Sequence, residues 1–123
     1  MTNQENPFRV IVAGGRDFSD YEYLRSSLDF LLQNVTGPIV IVSGTARGAD
    51  KLGEQYAAER GYAVLRFPAD WDRFGRAAGY MRNEQMAKNA DALVAFWDGT
   101  SKGTLSMINL AHKYHLTVRV KRY

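Results

Sequence analysis

The chain has 123 residues, of which 46% are hydrophobic and 24% charged, with a formal net charge of +3 and no cysteine. This length and balance predict one globular domain with a substantial core, and the lack of cysteine excludes a disulfide framework and thiolate chemistry. Arginine supplies 11 of the 16 basic residues, and its planar fork of donors suits phosphate or carboxylate partners.

The ten N-terminal residues, MTNQENPFRV, lack the basic and apolar regions of a signal peptide. No apolar run in the sequence approaches membrane-spanning length. We therefore expect a cytoplasmic protein without a membrane partner, in which Thr2 to Asn6 frays as chain ends usually do. The arginines are scattered singly along the sequence, so we expect a small anionic ligand and consider nucleic acid an unlikely partner.

The chain begins with an alternation of predicted strands and helices. Phe8 to Ala13 and Ile39 to Val42 are rich in branched apolar residues, a pattern typical of strands buried on both faces. Between them, Ser19 or Asp20 is placed to cap a helix whose leucines recur at helical spacing. Gly37-Pro38 ends that helical segment before the second strand.

The same alternation continues to the end of the sequence. The later predicted elements are a helix from about Ala49-Asp50 to Gly61, a strand at Tyr62 to Phe67, a surface loop at Ala69 to Gly79, a helix at about Tyr80 to Asn89, a strand at Ala92 to Phe96, a helix at about Thr104 to Tyr114, and a strand at Leu116 to Val120. The loop is predicted because its sequence has no apolar period. The alternation indicates an α/β fold, a Rossmann-like three-layer sandwich with a mostly parallel five-stranded sheet. Residues 1–123 then form a single domain.

Three glycine-bearing turns, GGRDFSD, SGTARGAD and WDGTSKGT, follow the first, second and fourth predicted strands. In a parallel sheet these turns emerge at one edge, where open α/β sheets bind ligands. Gly44 and Gly48 allow close backbone approach, and the N–H groups of the following helix would face the same small volume as Arg47. That arrangement suits a phosphate. The alternative is that the glycines only make the corner.

The predicted ligand-binding residues come from the three turns and from the start of the third long helix. They are Gly14, Gly15, Arg16, Asp17, Ser43, Gly44, Thr45, Ala46, Arg47, Gly48, Asp50, Arg82, Asn83, Asp98, Gly99, Ser101, Gly103 and Thr104. The arginines among them would neutralise the ligand, unless each is a solvated side chain paired with a nearby acid. Trp71, Phe74 and Trp97 either stack on a base or pack as loop anchors.

Several common site types are absent from the sequence. Neither GxGxxG nor GxxxxGK[ST] occurs, so the dinucleotide fingerprint and the P-loop are both missing. His112 and His115 are the only histidines, too few ligands for a metal site, and we assign them a surface or packing role. We therefore predict neither a metal nor a cofactor.

The segment MRNEQMAKNADALVAFWDGTSKGT, taken with GGRDF and SGTARGAD, resembles the SLOG superfamily of Rossmann-like nucleotide-ligand proteins. The resemblance is to the YspA-like group and covers nearly the whole chain. It implies a nucleotide-derived phosphorylated ligand, and dimers are common in such relatives, so a homodimer or other homo-oligomer is possible. More distantly, the chain is similar to the LOG phosphoribohydrolases. With Ala90-Asp91-Ala92 aligned, the LOG arginine falls on Arg82 and a Gly-Thr pair on Gly103-Thr104.

This chain departs from the LOG pattern at two places. The catalytic glutamate falls on Met107, and the turn with Trp97-Asp98-Gly99 is two residues longer. Methionine neither stabilises an oxocarbenium ion nor activates water. The catalytic residues are thus unassigned, with Asp98 and Arg82 as candidates, although Asp17 or Asp50 would also supply a carboxylate.

Three functional hypotheses follow from the residues and the resemblance. The first is the binding or sensing of a nucleotide or nucleotide-derived ligand, with phosphate held by the glycine turns and arginines. The alternative is an N-glycoside hydrolase or transferase that acts on a nucleoside phosphate. A weaker alternative is a protein associated with single-stranded nucleic acid, because the superfamily that this chain resembles includes DNA-processing members.

Overall fold

The computed structural model describes residues 6–123, so most of the segment expected to fray, Thr2 to Asn6, lies outside the described residues. Five strands form one sheet in the order β3-β2-β1-β4-β5, and every neighbouring pair is parallel. The strands are β1 Phe8–Gly14, β2 Ile39–Ser43, β3 Ala63–Arg66, β4 Ala92–Trp97 and β5 Thr117–Arg122. The predicted five-stranded α/β architecture is confirmed.

Helices cover both faces of this sheet, which confirms the three-layer prediction. The covering helices are α1 Tyr21–Leu32, α2 Ala49–Arg60, α4 Ala78–Lys88 and α5 Lys102–Lys113, whereas the short α3 Trp71–Phe74 contributes no residue to either core. Along β1, Val10 and Val12 pack with α1 and α2, whereas Ile11 and Ala13 pack with α4 and α5. A strand that alternates between two apolar cores shows no polar face, which explains its continuously apolar sequence.

The strand order reverses beside β1. The chain passes from β1 outward to β2 and β3, then crosses to β4 on the other side of β1 and continues to β5. The connection after β1 therefore runs toward β2, whereas the connection after β4 runs the opposite way, toward β5. Because these two connections diverge, a crevice opens between them at the carboxyl ends of β1 and β4. This reversal determines where a ligand site can lie.

Two predicted helix boundaries rest on local chemistry that the structure confirms. Asp20 rather than Ser19 caps α1, since its Oδ1 accepts a hydrogen bond of 3.1 Å from the backbone N–H of Tyr23. Gly61 ends α2 with a φ of 74°, a conformation that favours glycine, and its N–H bonds back to the Ala58 carbonyl.

The predicted loop from Ala69 to Gly79 is wrong, because the segment is largely helical. It contains α3, a turn of 3-10 helix at Gly75–Ala77 and the first residues of α4. Asp70 caps α3 by accepting a 3.1 Å hydrogen bond from the N–H of Arg73. No residue of α3 is buried, and a helix without a buried face has no apolar period to reveal it.

The last helix begins earlier than predicted. Ser101 caps α5, which starts at Lys102, so Gly103 and Thr104 lie in its first turn. Among residues 6–123, none of the helices combines the length and apolar character that a bilayer crossing requires.

Candidate functional site

A cleft of about 630 Å³ lies at the carboxyl ends of the strands, beside the reversal of strand order. The three glycine-bearing turns meet there, as their placement after β1, β2 and β4 predicts. The predicted residues that line the cleft are Gly14, Gly15, Arg16, Asp17, Ala46, Arg47, Asp50, Arg82, Asn83, Asp98, Ser101, Gly103 and Thr104. Gly44 and Thr45 instead line an adjoining cavity of about 350 Å³.

Ser43, Gly48 and Gly99 line neither space. For Ser43 and Gly48 the structure shows a packing role. The buried Ser43 hydroxyl donates to Glu54 at 2.7 Å and accepts from the Thr45 N–H at 3.0 Å. Gly48 has a φ of 85°, and a Cβ there would collide with the carbonyl oxygen of Gly15. Their glycine or hydroxyl character therefore serves the packing of the turns.

Arg82 brings a half-buried positive charge into the cleft from α4. Its Nη1 donates to the Gly44 carbonyl oxygen, and its Nε donates to Asn83 Oδ1 at 2.9 Å. Burial lowers the pKa of the guanidinium, an effect that the nearby Asp50 carboxylate opposes. The side chain remains a cation, and it is held by one hydrogen bond to the backbone of Gly44 and one to the side chain of Asn83.

Asp50 is the buried carboxylate of the site, only 5% exposed. It accepts a hydrogen bond of 3.1 Å from the Ala46 N–H, and burial raises its pKa to about 6. A Cβ at Gly44 would lie 2.6 Å from Arg82 Nη1 and 2.8 Å from Asp50 Oδ2. Glycine is therefore required for both charged groups to approach the turn so closely.

The other two aspartates of the cleft are engaged in hydrogen bonds. Asp17 accepts from the Tyr123 hydroxyl at 2.7 Å. Asp98 accepts from the N–H groups of Thr100 and Ser101, both at 2.8 Å, and these bonds lower its pKa. Asp98 thus holds its own turn in shape, and its catalytic role stays a prediction.

Met107, at the position of the LOG glutamate, lies on α5 at the border of the cleft. It is 1% exposed and packs in the core with residues such as Met86 and Leu93. This position therefore contributes an apolar surface to the cleft, where a glutamate would have contributed a charge.

Sequence reasoning named Trp71 only as a residue that either stacks on a base or anchors a loop, and it missed Arg76 and Tyr80. Trp71, 50% exposed, and Tyr80, 51% exposed, line the cleft together with Arg76. Lys102 and Ser106 of α5 also line it without having been predicted. The available signal was the interleaving of aromatic and basic residues in WDRFGRAAGY, a composition typical of nucleotide-stacking surfaces.

The remaining aromatic and histidine candidates lie elsewhere. Trp97 donates from its indole N–H to the Ser101 carbonyl at 3.0 Å, and Phe74 lies under the Arg73 guanidinium at 4.9 Å. Trp97 therefore anchors its own turn, and neither Trp97 nor Phe74 lines the cleft. His112 and His115 are exposed near the end of α5. Within residues 6–123, no three side chains of the metal-binding types form a cluster suited to an ion.

Comparison with known proteins places this architecture in a family. The sequence profile of the YspA, cpYpsA-related SLOG family matches residues 8–74. The Gene 61 protein of Mycobacterium phage D29 is 33% identical over 116 residues, which cover 89% of this chain and 93% of that protein. The chain belongs to the YspA, cpYpsA-related SLOG family. The matched residues include the turns after β1 and β2, two of the three walls of the cleft.

Two solved structures share the fold of this SLOG-family protein. DprA from Streptococcus pneumoniae superposes with a TM-score of 0.71 at 19% identity, and DprA from Helicobacter pylori with a TM-score of 0.67 at 21% identity. Each match covers 93% of this chain, but only 50% and 65% of the respective DprA chains. The likeness confirms the Rossmann-like fold.

The expectation that nucleic acid is an unlikely partner is wrong. The Helicobacter pylori structure that shares the fold is described as showing a single-stranded DNA binding mode. The expectation relied on arginines that are scattered along the sequence, whereas folding gathers four of the eleven at one cleft. Arg16, Arg47, Arg76 and Arg82 all line one cleft together with Lys102, so spacing along the chain was not evidence against a polyanion.

Proposed function

We propose that this SLOG-family protein binds a nucleotide or nucleotide-derived ligand in the cleft and holds it by its phosphate. The observation that carries the proposal is the basic wall formed by Arg16, Arg47 and Arg82 at the reversal of strand order. Guanidinium groups bind phosphate through charge-assisted hydrogen bonds, which are strongest where water is partly excluded. The half-buried Arg82 meets that condition.

Two helix N-termini add to the attraction for an anion. Helix α2 begins at Ala49 after Gly48 without a side-chain cap, and α5 begins at Lys102 after Ser101. Both starts belong to turns that line the cleft. Aligned peptide dipoles give such ends a partial positive charge that attracts phosphate oxygens. The Ala49 N–H itself donates to the Gly15 carbonyl at 3.2 Å, so the attraction at α2 comes mainly from the dipole.

The cleft also offers aromatic surface that suits a base. The rings of Trp71 and Tyr80 are each about half-exposed within the cleft lining, although exposed aromatic rings cost free energy in water. Stacking on a nucleobase would cover them, and it is a major source of affinity for nucleotides. Arginines and exposed aromatic rings in one cleft support a nucleotide over inorganic phosphate alone.

Isothermal titration with thymidine 5′-monophosphate and with thymidine tests this proposal. The monophosphate should bind and the nucleoside should bind at least tenfold more weakly. Arg82→Gln should weaken monophosphate binding about 10- to 100-fold, since a charged hydrogen-bond donor is worth about 1.5–3 kcal/mol. Arg119→Gln, an exposed arginine on β5, is the matched control. Equal binding of nucleoside and monophosphate would contradict the proposal.

Trp71→Ala tests the aromatic wall independently. Loss of one stacking surface should lower the affinity for thymidine 5′-monophosphate by about 5- to 100-fold, because stacking is worth about 1–3 kcal/mol per base. Phe30→Ala removes an aromatic ring that is 70% exposed on α1 and should leave affinity unchanged. If both variants bind like the wild type, Trp71 does not contact the base.

Single-stranded nucleic acid is a second candidate ligand for the same cleft. The observation that favours it is the shared fold with a protein described as binding single-stranded DNA, together with the basic and aromatic residues that interleave from Trp71 to Tyr80. Fluorescence anisotropy with a labelled oligothymidylate would show binding that weakens steeply with added salt. Binding that is absent, or insensitive to salt, would reject this candidate.

N-glycoside hydrolysis or transfer stays a prediction from the sequence. Product analysis decides it: the protein is incubated with nucleoside monophosphates, and free base is measured. Release that is lost in Asp98→Ala would establish an enzyme and sink a purely binding function. Ligand-dependent stabilisation without free base supports binding alone.

A further inference from the structure

A second cavity, of about 350 Å³, adjoins the cleft. Thr45, Pro68 and Ala69 line this cavity but not the cleft. Each of the two spaces by itself falls in the range of roughly 300–1,000 Å³ that small-ligand pockets occupy. The site therefore offers two ligand-sized compartments side by side.

The wall common to both compartments is basic. Arg16, Arg47 and Arg82 line both spaces. Backbone contacts hold two of these guanidinium groups, because Arg47 Nε donates to the Arg16 carbonyl at 3.3 Å and Arg82 Nη1 donates to the Gly44 carbonyl. None of the described residues that line the second cavity is acidic, whereas three aspartates border the cleft. The shared wall and the second cavity thus favour an anionic group.

Trp71 is the aromatic residue at the boundary between the compartments. It lines both spaces and is half-exposed. Its ring lies against Gly79, where an added Cβ would be 3.3 Å from the indole Cη2. A planar apolar surface next to three guanidinium groups is suited to a base whose phosphate lies on the shared wall.

The turn that lines the second cavity is held in a strained conformation. Thr45 has a φ of 66°, which is uncommon for a β-branched residue. Its N–H donates to Ser43 Oγ at 3.0 Å, and the next N–H, of Ala46, donates to Asp50 at 3.1 Å. These hydrogen bonds hold the turn in the conformation in which the Gly44 carbonyl meets Arg82. The surrounding residues thus stabilise the wall between the two compartments.

We infer that the ligand carries two nucleoside units joined through phosphate, one in each compartment, with the linking phosphate on the shared arginines. This inference rests on the proposed function and narrows it from any nucleotide to this ligand class. A linear dinucleotide and a segment of single-stranded nucleic acid share the required chemistry. A mononucleotide would fill only one of the two compartments.

Titration of the wild-type protein with pdT, pdTpdT and a thymidine octanucleotide tests the inference. The dinucleotide should bind at least about tenfold more tightly than the mononucleotide, as expected for one added stacked base and one added phosphate. Ala69→Trp should fill the second cavity and abolish this advantage of pdTpdT over pdT. Ala58→Trp makes the same change at an exposed position on α2 that lines neither space and should preserve the advantage.

Equal affinity for pdT and pdTpdT in the wild type would overturn the inference and leave the proposed function standing. This comparison does not depend on whether the Ala69→Trp variant folds. Failure of all three ligands to bind would overturn the inference and the proposed function together. Affinity that grows from the dinucleotide to the octanucleotide and falls steeply with salt identifies a single strand as the source, whereas a plateau at the dinucleotide identifies a small molecule.

Discussion

Asp50 is a carboxylate that folding buries among cationic neighbours at the carboxyl edge of the sheet. Its surroundings include Arg82 from α4, Arg16 from the turn after β1 and Glu54 from its own helix, but burial outweighs the arginines and raises its pKa to about 6. A group whose pKa is higher in the folded state than in the unfolded chain binds its proton more tightly when folded. The contribution of protonated Asp50 to the free energy of unfolding is therefore fully present below about pH 4. It is lost as the pH rises through about 6.

Asp50→Asn should remove this pH dependence. Asparagine can still accept the Ala46 N–H but cannot ionise, so at pH 7.5 the variant should be more stable than wild type by about 1–3 kcal/mol. The difference should vanish below about pH 4. Urea denaturation from pH 4 to 8 measures it, with Asp72→Asn on the exposed α3 as the control for net charge. A difference that stays constant over this range would contradict the prediction.

At the scale of elements, two glycines at helix N-termini differ in whether the structure leaves room for a side chain. Gly48 precedes α2 with a φ of 85°, and its position leaves no room for a side chain beside the backbone of Gly15 and Arg16. Gly103 lies in the first turn of α5, and apart from its chain neighbours and the backbone of its own helix, nothing among the described residues lies within 4 Å of the position that its Cβ would take. Both glycines occur in predicted phosphate turns, but only the structure distinguishes their roles.

Gly48→Ala should therefore destabilise the protein by about 2 kcal/mol or more, through backbone strain and a collision between the turns after β1 and β2. Gly103→Ala is the matched variant and should be neutral or stabilising by up to about 1 kcal/mol, because alanine loses less conformational freedom in a helix. Free energies of unfolding from urea titrations test the pair. Similar effects at both positions would show that the collision does not determine stability.

At the scale of the whole molecule, the end of β5 is tied to the turn after β1. The Tyr123 hydroxyl donates to Asp17 at 2.7 Å, and its ring packs edge-on against Phe18 with centroids 4.8 Å apart. These residues are more than 100 positions apart in the sequence. The contact links the strand at one edge of the sheet to the cleft, and it engages an acid that would otherwise face the ligand.

Tyr123→Phe should keep the ring packing and lose only this hydrogen bond. Because Tyr123 is 42% exposed, the expected loss of stability is small, about 0.5–1 kcal/mol. A double-mutant cycle with Asp17→Ala measures the coupling directly, and the two losses should not add. Additive losses would mean that the hydroxyl and the carboxylate do not interact in solution.

The sequence by itself determined the alternation of strands and helices and the edge at which the glycine turns meet. Strands buried on both faces, such as β1 and β4, must be continuously apolar, and capping residues such as Asp20 and Gly61 act on their immediate neighbours. Features of this kind depend on local chemistry and are readable in order along the chain.

Only the tertiary structure decided what each residue of the turns does. It gathered arginines that are distant in sequence, placed Trp71 of an unrecognised helix on the wall of the cleft, and engaged Asp98 in its own turn. It also assigned Ser43 and Gly48 to packing. Such roles depend on contacts with residues that the strand order and the crossovers bring together. The residue pattern within one segment does not show which distant residues it will contact.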